Sequence, residues 1–195
     1  MNLTKVSEDL PLIIAKNPKW EEINKKLLVI ADNLEYPNSY KSNVQAKMSE
    51  WYITSSEIQD ITFWIEDVLS KVLETKVGIL HSFRNNGYTL RVLDLWMALY
   101  GVGEYTKSHS HSSSVWSWVY FIKCPKGSSP LVFTTSNVEI EAEEGKVVLF
   151  PGNLNHHVPD NKCEDRVVMS ANCIFLPENV HLSLGVDKPQ TLRYT

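Results

Sequence analysis

A mainly β fold, a closed sandwich or jelly roll preceded by helices, is predicted by three observations. Short β-like runs recur between residues 77 and 176, separated by clusters of Pro, Gly, Asn and Ser, with no strand–helix–strand alternation. Two amphipathic helical stripes precede them within the first 76 residues. A chain of 195 residues with 43% hydrophobic and 22% charged content can bury a proper core as one domain.

The first 75 residues read as helical. Asn17 before Pro18 has the form of an N-cap with Pro at the first helical position, and Glu21 and Glu22 suit the positive end of the helix dipole. Trp20, Ile23, Leu27, Ile30 and Leu34 then mark a helix to about Asn33. Tyr36-Pro37-Asn38-Ser39 breaks it. Ser56-Glu57-Ile58-Gln59 resembles a capping box opening a second helix to about Leu73, with Ile58, Ile61, Ile65, Val68 and Val72 on one face. These helices are expected to buttress a sheet, with a homodimer surface as the alternative use of their apolar faces.

From Val77 the period changes. Asn85-Asn86-Gly87 separates residues 77–84 from 88–100 as a hairpin turn would. Further strands are expected at 115–123, 131–134, 138–142, 146–150 and 166–176. Domain organisation follows: a helical part over 1–76, a β core over 77–176 and a tail over 177–195, within one domain. Trp116, Trp118 and Tyr120 alternate with Ser117 and Val119, so the aromatics share one sheet face. They pack against the N-terminal helices or line a substrate wall.

Composition excludes several classes. A net charge of −4 gives no reason to expect nucleic acid or an anionic membrane. Cys124, Cys163 and Cys173 form no C-x-x-C pair, which fits a reducing compartment. Glu8 and Asp9 argue against a signal peptide, and no stretch approaches the ~18 apolar residues of a membrane span. The expected location is cytoplasmic.

The chemistry concentrates in His109-Ser110-His111, answered 45 residues later by His156 and then by Arg166. Residues i and i+2 of an extended segment face one side, so His109 and His111 can converge on one metal ion. Adjacent His156 and His157 would point oppositely, leaving one of them to ligate. Imidazoles suit Fe(II), Zn(II), Cu or Ni. Arg166 opens an apolar run, and a buried guanidinium needs a carboxylate or phosphate. Glu143, Glu164 or Asp165 would make it structural; a ligand carboxylate would make it functional.

The segment from Trp96 to Phe175 resembles the core of the Fe(II)/2-oxoglutarate-dependent oxygenases, and most closely a subgroup of small oxygenases. The subgroup motifs run H-x-H, S-G-x-Y-Y, F-P-x-x-x-x-H-x-V and E-R-x-x-x-S-x-N. This chain supplies His109-Ser110-His111, Ser117-Trp118-Val119-Tyr120-Phe121, Phe150 to Val158, and Asp165-Arg166 through Ser170 and Asn172. The resemblance implies a double-stranded β-helix holding Fe(II) with His109, His111 and His156. It implies 2-oxoglutarate as co-substrate bound by Arg166, with Ser170, Tyr100 and Tyr105 lining its pocket, and O₂ as oxidant. It further implies hydroxylation of a small-molecule or protein side-chain substrate with release of succinate and CO₂.

Two departures stand out. Trp118 replaces the subgroup's Gly, which should narrow the cavity. His111 stands where the superfamily usually places a carboxylate, so that Glu104 or Asp160 would have to supply one if the site needs it.

Cupins offer a rival resemblance. Gly103 followed by His109-Ser110-His111, and Gly145 followed by Pro151 and His156, match much of the two cupin motifs, although Asn153 replaces a Gly and the Glu expected after the H-x-H pair is missing. That family shares the double-stranded β-helix. It implies a three-His dioxygenase or isomerase working without 2-oxoglutarate. A non-catalytic metal-binding domain is a third expectation.

Overall fold

The computed structural model describes residues 4–5, 12–76 and 87–177. Its elements are β1 (Thr4–Lys5), β2 (Ile13–Lys16), α1 (Trp20–Asn33), β3 (Val44–Gln45), β4 (Lys47–Met48), α2 (Ser56–Lys76), β5 (Tyr88–Tyr100), β6 (Tyr105–His109), β7 (Trp116–Lys123), β8 (Leu131–Phe133), β9 (Val138–Ile140), β10 (Lys146–Pro151), β11 (His156–Val158) and β12 (Arg166–Pro177). The expected strand over 77–84 and the tail lie outside the described residues.

The strands form a seven-stranded sheet in the order β1-β2-β10-β7-β12-β5-β4 and a five-stranded sheet in the order β3-β6-β11-β8-β9. Neighbours pair antiparallel throughout. Two such sheets facing one another make the double-stranded β-helix, as expected.

Strand alternation divides the large sheet's side chains between two apolar layers. Trp116, Trp118, Tyr120, Val167, Met169 and Ala171 pack with Leu27, Ile58, Ile61, Ile65 and Leu69 of the helices. Trp96, Tyr100, Val119, Phe121, Phe150 and Val168 meet Phe133, Ile140 and Val158 between the sheets. Covering both faces explains why β7 reads as a nearly continuous buried run. Trp118 therefore joins the helix-facing layer, while it also contributes to the lining of the cavity between the sheets. Asn24 fastens α1 to β7, accepting from the Tyr120 hydroxyl at 2.8 Å and donating to the Ile122 carbonyl at 2.6 Å.

The helix termini differ in detail from the sequence reading. Lys19 is the N-cap residue of α1, and Asn17 instead accepts the Lys19 N–H at 2.8 Å in the preceding turn. The buried face of α1 centres on Leu27 with Asn24 and Ala31, while Ile23 and Ile30 pack at its edges. At α2 the cap is Ser55, whose hydroxyl accepts from Ile58 N–H, and the helix runs to Lys76. The N-terminal part is also not purely helical. β2 pairs with β10, β4 with β5 and β3 with β6, so it extends both sheets.

No helix among the described residues is long and apolar enough to cross a membrane.

Candidate metal centre

His109 and His156 are directly opposite one another across β6 and β11. That placement depends on a β-bulge. His156 pairs with His109 and Val158 with Thr106, so β6 carries one residue more than β11 over the same stretch. In a regular strand Thr106 and His109 would face opposite sides. The extra residue lets both Thr106 and His109 line the interior while Lys107 and Ser108 stay exposed.

His111 lies beyond the end of β6 and is held from its backbone. Its N–H donates to Gly152 O at 2.7 Å, and its carbonyl accepts from Ser114 N–H at 2.8 Å. Gly152 fits there for want of a side chain: a Cβ would stand 2.3 Å from Ser114 O and 2.7 Å from His111 O.

The ligating atoms of His109, His111 and His156 all lie within 4.8 Å of one another. His109 Nδ1 donates to Lys107 O at 2.8 Å and His156 Nδ1 donates to Leu154 O at 2.9 Å. A carbonyl only accepts, so each bond fixes a tautomer whose Nε2 lone pair is free for a metal. Burial favours the neutral rings. It lowers the pKa of His109, takes His111 down to about 4 with help from His109, and takes His156 down to about 3. Phe150 packs 4.7 Å from the His156 ring and Trp96 lies 5.9 Å from His111, centroid to centroid. Three convergent neutral imidazoles backed by aromatic rings suit a divalent transition metal.

Arg166 supplies the second half of the site. It is fully buried at the first position of β12, and none of Nε, Nη1 and Nη2 has a hydrogen-bond partner. Its guanidinium lies 4.6 Å from the Tyr100 ring centroid and 5.7 Å from that of Phe121. The carboxylates considered as structural partners are engaged elsewhere or turned away. Glu143 pairs with Lys16 and Lys146, and Asp165 pairs with Lys123; Glu164 lies against Gly101. A buried, unpaired guanidinium with stacked faces and open edges is built to receive an anion.

One cavity joins the two halves. His109, His111, His156, Arg166, Tyr100 and Ser170 all line it, together with Thr106, Trp96, Val119 and Phe150. Tyr100 donates to or accepts from Thr106 through its hydroxyl at 2.7 Å, leaving its ring face to Arg166. Tyr105 is not brought to this cavity. Glu104 accepts from Gly101 N–H and pairs with the Tyr40 hydroxyl. Neither Glu104 nor Asp160 joins the metal cluster, so the described residues offer it no carboxylate. At about 40 Å³ the cavity is narrow, and a dicarboxylate needs its lining side chains to swing aside. His157 turns away, its Nδ1 bonded to Thr134 Oγ1 at 3.0 Å.

Sequence reasoning did not find Gly152 or the β6 bulge. The odd spacing between buried Thr106 and His109 would be the only signal, and burial is not visible in a sequence.

No protein-family profile matches the chain, and no curated protein does. Solved structures do match its fold. A prolyl hydroxylase from Trichoplax adhaerens, in complex with a hypoxia inducible factor oxygen degradation domain peptide fragment, aligns with TM-score 0.59 and 12% identity over 83% of this chain and 82% of its own. A Pseudomonas putida prolyl-4-hydroxylase aligns with TM-score 0.57 and 14% identity, covering 82% and 91%. The viral collagen prolyl hydroxylase of Paramecium bursaria Chlorella virus-1, in a 2OG complex, gives 0.51 and 15%, covering 82% and 94%. At these identities the likeness establishes the double-stranded β-helix.

Proposed function

We propose that the chain is a non-haem Fe(II)- and 2-oxoglutarate-dependent dioxygenase that hydroxylates a C–H bond of a small molecule or protein side chain, releasing succinate and CO₂. The observation that carries this reading is Arg166. A guanidinium buried without a counter-ion, in the cavity that also holds three imidazoles, calls for a carboxylate ligand beside a metal. The fold is one on which prolyl hydroxylases are built, one of them solved with 2OG and one with a peptide. A peptide substrate is therefore a reasonable class to test first.

Bound Fe(II) would supply the centre at which O₂ is activated, with 2-oxoglutarate as the source of two electrons. The protein's part is positional. His109, His111 and His156 would hold the metal through Nε2, two of them oriented by Lys107 and Leu154 carbonyls. Arg166 would take the distal carboxylate, its planar fork steadied by Tyr100. Val119, Phe150 and Val158 would exclude water, and Ser170 would offer a hydroxyl to the bound acid.

The all-imidazole donor set supports a second reading, a three-His dioxygenase or isomerase of the cupin type that uses no 2-oxoglutarate. Anaerobic titration of the Fe(II)-loaded chain with 2-oxoglutarate separates the two. The first reading expects a visible charge-transfer band that an Arg166→Met variant lacks. Tight iron binding with no response to 2-oxoglutarate overturns it in favour of the second.

A further inference from the structure

One row beyond the cavity, the large sheet carries a polar chain with no part in holding metal or 2-oxoglutarate. Strand pairing aligns Ser170 with Trp96 and Val119, and two residues further on aligns Asn172 with Asp94 and Ser117. Side chains two apart share a face and stand about 7 Å apart. Asp94, Asn172 and Ser117 therefore face the same interior as Trp96 and Val119. They are flanked on both sides by residues that touch the triad. Trp96 packs on His111, and Ser117 pairs with Phe150, which packs on His156.

A second bulge places Asp94 there. Asn172 pairs with Asp94 and Cys173 with Val92, so Leu93 is the extra residue. Before it, Leu90 and Val92 face the helices; after it, Trp96, Ala98 and Tyr100 face the interior. Without the extra residue Asp94 would continue the row of Leu90 and Val92 into an apolar layer.

The carboxylate is then held by buried neighbours. Ser117 Oγ donates to Asn172 Oδ1 at 2.8 Å, and Asn172 Nδ2 donates to Asp94 Oδ1 at 2.8 Å. Asn172 and Ser117 are buried and Asp94 is half-buried. Among the described residues no Lys or Arg pairs with Asp94; nearby Arg91 pairs with Glu66 instead. Burial pushes the Asp94 carboxyl up to about 6, against the hydrogen bonds from Asn172. Such a group gains most from a cationic partner.

We propose that Asp94 is a specificity-determining residue at the rim of this site, taking a cationic N–H group of the substrate, an ammonium or guanidinium, with Asn172 and Ser117 as positioning residues. The proposal deepens the oxygenase reading and rests on it, since the substrate's carbon chain would run from Asp94 toward the triad.

The test is a titration of the chain, without added metal or 2-oxoglutarate, with n-butylammonium, n-butylguanidinium and neutral n-butylurea, read by tryptophan fluorescence and repeated with inert Zn(II). A saturable response to the cations, at least about tenfold tighter than to butylurea, is expected. Asp94→Asn, which keeps the bond from Asn172, should abolish that preference; Asp94→Glu should restore part of it. Asn172→Ala should weaken the cation preference while melting remains cooperative. Equal binding of cations and butylurea, a preference surviving in Asp94→Asn, or no saturable binding overturns the proposal. None of these outcomes touches the Arg166-dependent band. Loss of that band with Asp94-dependent binding intact would count against the oxygenase reading alone.

Discussion

Arg166 and Tyr100 are cross-strand partners, and the guanidinium of the first lies 4.6 Å from the ring centroid of the second. The ring attracts the cation through its quadrupole but accepts none of its five N–H bonds. The site thus stores a desolvated charge whose hydrogen bonds are unmade. Replacing a buried charge by an apolar residue of similar volume is often neutral or stabilising. Arg166→Met should therefore raise the melting temperature of the ligand-free protein, by about 1–3 kcal/mol in unfolding free energy, while removing every spectral response to 2-oxoglutarate. A destabilised Arg166→Met protein that still responds would show that the guanidinium has a structural partner.

Gly152 makes the second prediction. The contacts of 2.3 and 2.7 Å that a Cβ would make are both to backbone carbonyls, which cannot swing aside like a side chain. Gly152→Ala should cost about 1–3 kcal/mol in denaturant unfolding. It should also weaken metal affinity, because one of the two crowded carbonyls belongs to His111 and the other to Ser114, whose N–H bonds the His111 carbonyl. Unchanged metal affinity in a destabilised variant would separate the loop from the site.

The donor set makes the third. His111→Asp would add an anionic ligand where three neutral imidazoles now converge, and should tighten Fe(II) binding by on the order of tenfold. His156→Ala removes a buried ligand fixed by the Leu154 carbonyl and should lower affinity by about a hundredfold or more. Anaerobic competition with a chromophoric chelator measures both. Equal affinities in wild type, His111→Asp and His156→Ala would place the metal elsewhere.

Hydrophobic period and turn residues made most of the β core legible. The runs at β5, β7, β8, β10 and β12 agree with the strands to within two residues. The same rules missed β1, β2, β3, β4, β6 and β11, because segments of two to five residues show little period, and their strand state comes mostly from partners distant in sequence. The H-x-H spacing pointed to convergent histidines, yet their convergence also depends on a bulge in β6 and on a loop pinned by Gly152, neither of which has a sequence signature. Composition could equally not foretell that Arg166 would lack a partner. Glu164 and Asp165 adjoin it in sequence, and it is the backbone at Asp165, with φ of 61°, and the Lys123 contact that lead away.

The fourth prediction concerns pH. Burial raises the Asp94 carboxyl to about 6 in the folded chain, against about 3.9 when unfolded. Between these values the folded state binds the extra proton, so stability falls as pH rises from about 4 to about 6 and the penalty is complete above that. Asp94→Asn lacks the titration and keeps the acceptor for Asn172. Its advantage over wild type should be absent below about pH 4, grow through pH 5, and level off above pH 6 at about 1–2 kcal/mol after allowance for solvent screening. Glu66, also raised by burial, and the lowered histidines titrate in both proteins and cancel in the difference. Urea unfolding of the metal-free pair at pH 4, 5, 6 and 8 measures it. A difference that stays flat across that range would mean that Asp94 is solvated like an ordinary surface carboxylate. A difference of opposite sign would mean that a cation already sits against it.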